Sequence, residues 1–141
     1  QIAFYDFECK LHEARSKGEL SSDDINKLWM SIQGSSLGPA FEFMEGYETF
    51  WAYIPHFVHS PFYVYAYAFG DGLVNALYSS YEAGCPDFQQ KYINMLKAGG
   101  SQHHTELLKP FGLNASDPKF WELGLNLISN MIDELESLDD L

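Results

Sequence analysis

From one end of this chain to the other, the apolar residues recur at intervals of three and four, and Gly or Pro closes nearly every run. No alternating run is bounded by hairpin turns, so a sheet has nothing to start from. Phe4, Phe7 and Leu11 mark one face of an amphipathic helix from residue 2 to about 16, ending near Gly18. Ile25, Leu28, Trp29 and Ile32 mark the next, through about Gln33, with Gly34, Gly38 and Pro39 breaking it. Ser21 followed by Asp24 is a capping-box-like start for that helix. From Ala40 to Pro55 the period is lost in a crowd of aromatics around Gly46, read as a loop or short helix.

Pro61 after Ser60 suits the first turn of a long helix to about Glu82. Its first half is apolar on most sides, which suits burial within a larger body. Gly84 closes it, and Pro86 opens a helix over roughly 87–97 that stops at Gly99 and Gly100. A short helix follows from Ser101 to Leu108. Ser116 or Asp117 can cap a final helix with Pro118 in its first turn and Trp121, Leu125, Ile128, Ile132 and Leu135 along one stripe. The expected fold is all-α, a bundle-like arrangement of five to seven helices forming a single helical domain over residues 1–141.

A length of 141 residues with 46% hydrophobic content supports one domain with a real core. The formal charge of -12 repels phosphate backbones and anionic lipid surfaces, so nucleic acid and membrane are not expected as partners. Asp133, Glu134, Glu136, Asp139 and Asp140 hold much of this excess and read as a solvated helix end. Cys9 and Cys85 form no CxxC or paired framework, which fits buried thiols in a reducing, cytoplasmic setting. The first helix is under way by residue 2 without an initiator Met or a cap, as expected of a piece of a longer chain.

Three histidine groupings bear on metal chemistry. His12-Glu13 begins like a zincin motif, but the second ligand, one helical turn on, would be residue 16, and that is Ser16. An exposed polar pair is the expectation there. His56 and His59 are three apart and His103-His104 are adjacent, yet neither pair has a carboxylate or Cys at ligand spacing. No metal site made from this chain alone is expected.

The densest constellation is WAYIPHFVHSPFYVYAYAFGDG, residues 51–72. On a helix Tyr63 and Tyr67 share a face, while Tyr65 is turned away from them by roughly 160–200°. Three hydroxyls cannot then point into one groove. Taken on the residues alone, these are core aromatics whose hydroxyls find backbone partners.

The ordered set IPHF, SPFYVYAYAFG, ALYSSY and AGGSQHHTELLKPFGLNASDPKFWELGLNLISNMIDEL resembles the end of oligoendopeptidase F-type sequences, within the thimet-oligopeptidase-like zinc peptidases. The opening QIAFYDFECKLHEARSKGEL resembles the family helix that follows the metal-binding helices. The resemblance implies the carboxy-terminal part of a larger helical zincin. In that family a His-Glu-x-x-His helix and a downstream Glu supply the zinc ligands and general base, and none of these is present here. It further implies that His56, in the PHF position, and Tyr65 and Tyr63 contact substrate and transition state, with Tyr53 and Tyr67 as further substrate-binding rings. The thimet branch begins this stretch with two consecutive tyrosines, where this chain has Phe62 and Tyr63. His59 has no counterpart.

The implied partners are short peptide substrates and the rest of the peptidase domain; the oligomeric state is not fixed by the sequence. The fragment alone is expected to be inactive. Two other classes are open: an autonomous helical interaction or dimerisation module with exposed aromatics, and a small His-based metal-binding protein.

Overall fold

The computed structural model describes residues 1–139, with no strand among them. The fold is all-α. Seven α-helices are α1 (Ile2–Lys17), α2 (Ser22–Leu37), α3 (His56–His59), α4 (Tyr65–Glu82), α5 (Phe88–Ala98), α6 (His104–Leu108) and α7 (Pro118–Asp139). Short 3₁₀ helices cover Tyr47–Tyr53, Gly99–Ser101 and Lys109–Phe111. The chain divides into two compact units, Gln1–Ala68 and Phe69–Leu141.

In the first unit α1 and α2 pack around Phe7, Trp29 and Ile32. Trp29 is the hub. The rings of Phe4 and Phe7 lie 5.4 and 5.1 Å from it, and Phe57 from α3 lies 5.1 Å from Phe7. A buried indole N–H must find an acceptor, and that of Trp29 donates to the Tyr47 carbonyl at 3.1 Å. Trp51 likewise donates to Asn26 Oδ1 at 2.7 Å. These two bonds tie the 3₁₀ helix to α2 and account for much of the aromatic crowding around Gly46.

The capping box at the start of α2 is complete. Ser21 Oγ accepts from the Asp24 N–H at 3.2 Å, and Asp24 Oδ2 accepts from the Ser21 N–H at 3.0 Å. Gly34, expected to break this helix, lies inside it. One interior glycine costs only about 1 kcal/mol against Ala, which the burial of neighbouring Trp29 and Ile32 outweighs. The helix stops at Gly38, where φ is 71°.

The long helix starts four residues later than Pro61 suggests. Phe62 has φ 61° and its N–H is drawn out of any helical ladder by the Glu8 carboxylate at 2.7 Å, so Ser60 to Val64 form a turn and α4 opens at Tyr65. Val64 is buried, but Tyr63, Tyr65 and Tyr67 are about half exposed, so the apolar first half of this stretch is only partly covered within the chain.

In the second unit Ala76, Leu77, Leu108, Phe111 and Phe120 form the core, with Phe88, Tyr92 and Trp121 packed against it. A Cβ added at Gly124 would lie 3.1 Å from the Gly72 carbonyl oxygen, and one at Gly72 would lie 3.0 Å from the Trp121 ring. The two glycines are there for close approach of α4 and α7. Pro118 occupies the first turn of α7, and Asp117 Oδ1 accepts from the Lys119 N–H at 3.0 Å. Beyond Trp121 the expected stripe faces outward: Leu125, Ile128, Ile132 and Leu135 are all exposed. Asp133, Glu134 and Glu136 are exposed as a solvated end requires, while the Asp139 side chain and Asp140 lie outside the described residues.

Candidate functional site: the His56 and tyrosine cluster

α3 is a single turn whose start is set by Pro55, with the His59 N–H donating to the Pro55 carbonyl at 2.9 Å. His56 is the first residue of this turn and is partly buried. The turn at Phe62 then folds Tyr63 back, its N–H donating to the Ser60 carbonyl at 3.1 Å. As a result the His56 and Tyr63 rings stack, 5.8 Å between centroids and 5° between planes. Tyr67 lies edge-on to both, 6.1 Å from His56 and 6.3 Å from Tyr63. Three of the sequence-predicted residues therefore share one surface.

Tyr65 does not join them. It packs edge-on to Tyr5 of α1 at 5.8 Å and is half exposed. The neighbouring Cys9 thiol holds the Tyr5 hydroxyl above the ordinary phenol pKa. Tyr53, at the end of the first 3₁₀ helix, is largely exposed and packs on Phe50 at 5.4 Å. Tyr63 with Tyr67 on one side and Tyr65 on another is the division a regular helix would also give, but Tyr63 precedes α4 and owes its place to the turn at Phe62.

Sequence reasoning missed Glu8. This side chain is fully buried, with Oε1 on the Phe62 N–H and Oε2 lacking a hydrogen-bond partner among the described residues. Its partner is 54 residues away, and no local pattern announces it. His12, read as an exposed polar residue, is exposed but lays its ring 4.7 Å from that of Phe62.

Among the described residues no three of His, Cys, Asp and Glu come together to hold a metal ion. His59 is exposed, the His103 and His104 rings lie 4.1 Å apart and tilted by 38°, and His103 caps α6, its Nδ1 accepting from the Thr105 N–H.

The model of peptidase family M3 matches residues 1–127. Oligoendopeptidase F (plasmid) of Lactococcus lactis subsp. cremoris is 33% identical over 139 residues, covering 98% of this chain and 23% of that protein. An oligoendopeptidase F homolog of Borreliella burgdorferi is 30% identical over 98% of this chain and 23% of its own length. Oligopeptidase PepF of Bacillus subtilis is 29% identical, with 98% and 21% covered. The chain thus spans less than a quarter of the length of these curated relatives. No solved structure matches it. With a family model aligned through α1 to α6 and into the first half of α7, and relatives named as oligoendopeptidases matched along nearly all of its length, the chain belongs to peptidase family M3, as a segment of the oligoendopeptidase F type.

Proposed function

We propose that this chain is the carboxy-terminal helical part of the catalytic domain of a cytoplasmic, zinc-dependent oligopeptidase, supplying substrate- and transition-state-binding side chains. Both compact units belong to that one domain in this reading. Zinc is held by residues outside this chain, the substrates are short peptides, and the segment alone is catalytically silent. The carrying observation is the surface on which partly buried His56 stacks on Tyr63 and meets Tyr67 edge-on. The placement of His56 within IPHF supports the same reading.

The residue types suit the chemistry. When a peptide carbonyl is attacked, negative charge develops on its oxygen. An imidazole N–H or phenol O–H aimed at that position stabilises the transition state more than the ground state. One such donor is worth about 3 kcal/mol, or roughly two orders of magnitude in rate. His56 and Tyr63 act on one side and Tyr65 approaches from another, with the rings of Tyr53 and Tyr67 gripping an extended peptide.

In the full-length enzyme, His56→Ala, Tyr63→Phe and Tyr65→Phe each lower kcat/KM by about ten- to thousand-fold, on the order of 1.4–4 kcal/mol, with zinc content and helicity intact. Near-wild-type turnover in both tyrosine variants rejects the tyrosine roles, and the same result for His56→Ala rejects the active-site reading of the whole stretch.

One observation favours a second reading, an interaction or dimerisation module: the exposed stripe Leu125, Ile128, Ile132 and Leu135 on α7. Sedimentation of the full-length protein with Ile132→Glu separates the two, since a dimer that falls apart while peptidase activity persists belongs to the second.

A further inference from the structure

We infer that Glu8 is a positioning residue, holding the turn at Phe62 so that Tyr63 is laid against His56; this rests on the active-site reading above. Glu8 is 0% exposed in the middle of α1, and its Oε1 accepts the Phe62 N–H at 2.7 Å. Phe62 has φ 61°, a conformation that costs a bulky residue strain and that Gly or Asn would take readily. A strained turn of this kind persists only where its surroundings over-determine it. α1 does so at three points, spaced three and four residues apart on one helical face. Tyr5 sets its ring edge-on to Phe62 at 6.2 Å, Glu8 takes the backbone N–H, and His12 covers the Phe62 ring at 4.7 Å.

The choice of an acid here is informative. Glu8 Oε2 is buried without a hydrogen-bond partner among the described residues. A half-satisfied buried carboxylate is a poor way to gain stability, because an apolar side chain of similar size fills the same space without the desolvation penalty. What an apolar residue cannot do is accept the Phe62 N–H. Tyr63 is the next residue along, so a Phe62 backbone relaxing to ordinary negative φ swings the Tyr63 ring away from the His56 imidazole. The carboxylate is thus placed where its geometric effect reaches the reacting side chains while the group itself touches none of them.

The test uses the full-length peptidase and a short peptide substrate. Glu8→Ala should lower kcat by roughly tenfold or more, with KM changed less than about threefold and zinc content unaltered. Glu8→Gln keeps an acceptor for the Phe62 N–H and should retain kcat within about threefold of wild type. In a Tyr63→Phe background Glu8→Ala should cost less than about threefold more, because both changes disable one device. Where Glu8→Ala fails to fold, Glu8→Asp, which shortens the reach by one carbon, carries the same expectations. Wild-type kcat in Glu8→Ala, an equal loss in Glu8→Gln, or losses that multiply in full with Tyr63→Phe each overturn the inference. So does a Phe62 amide that exchanges as slowly in Glu8→Ala as in wild type, whatever the activity. Wild-type turnover of both His56→Ala and Tyr63→Phe overturns the active-site reading instead.

Discussion

The imidazole of His56 and the phenol ring of Tyr63 lie within 5° of parallel although seven positions separate them in the chain. Two consecutive turns produce this, α3 and the left-handed Phe62, and neither is part of the long helix that follows. Tyr67, in the first turn of α4, lies edge-on to the same pair. Tyr65, which opens that turn, rests on Tyr5 instead.

Tyr67 is expected to act through its ring more than its hydroxyl. Tyr67→Phe should leave kcat within about threefold, whereas Tyr67→Ala should raise KM several-fold, since uniform binding of ground and transition state is lost. Steady-state kinetics on one short peptide checks both. A large fall in kcat for Tyr67→Phe would move Tyr67 into the charge-stabilising group.

The close approach of Gly72 and Gly124 predicts opposite outcomes for two glycine replacements on α4 and α7. Gly124→Ala gains up to about 1 kcal/mol in helix propensity but drives a methyl against the Gly72 carbonyl, and overpacking of about 1–3 kcal/mol wins. Gly70→Ala meets nothing within 4 Å and should stabilise by up to about 1 kcal/mol. Urea unfolding followed by circular dichroism distinguishes them.

Trp29 is expected to be the most costly single truncation in the first unit. Trp29→Ala removes a fully buried ring that lies beside five other aromatics and should destabilise by about 3–5 kcal/mol. Trp29→Phe keeps most contacts but leaves the Tyr47 carbonyl without its donor, so a smaller loss of about 1–3 kcal/mol is expected in the same unfolding assay.

The capping box at α2 carries a pH signature. The Ser21 hydroxyl, and then the Ser21 backbone N–H, hold the Asp24 carboxyl below its ordinary pKa of 3.8. A depressed folded pKa means that the contribution is fully present above 3.8 and is lost as pH falls through the lower folded value. Asp24→Asn should therefore be less stable than wild type at neutral pH and show a shallower fall in stability below that point. Ser21→Ala should cost about 0.5–2 kcal/mol at neutral pH. Equal acid sensitivity of wild type and Asp24→Asn would show that the box contributes nothing.

The helical fold was legible because its signals are local. Ser21 with Asp24, Gly18, Gly38 and Pro118 each act within one turn of the boundary they mark. Pro61 misled, since its preference for a first turn was overridden by a carboxylate on another helix. Gly34 misled in the other direction, because burial of Trp29 and Ile32 on the same helix outweighs the small cost of one glycine. Of the candidate site, the separation of Tyr65 from Tyr63 and Tyr67 matches what a regular helix would give, although Tyr63 reaches its place through the turn at Phe62 and not through a helix. The His56 stack was not legible, as it depends on the left-handed turn at Phe62. Glu8 was hidden altogether: in sequence it sits beside Phe7 on an amphipathic helix, where an acid normally marks the wet side.

The late start of α4 has a consequence for how such chains change length. A residue added inside a helix rotates everything beyond it by about 100° and scrambles every face at once. Between Ser60 and Val64 the backbone is a turn moored to α1, so an added or deleted residue is absorbed before the helical ladder begins. The faces of α4 keep their directions. A change of length at this turn thus alters what is offered to His56 with no repacking farther along the helix.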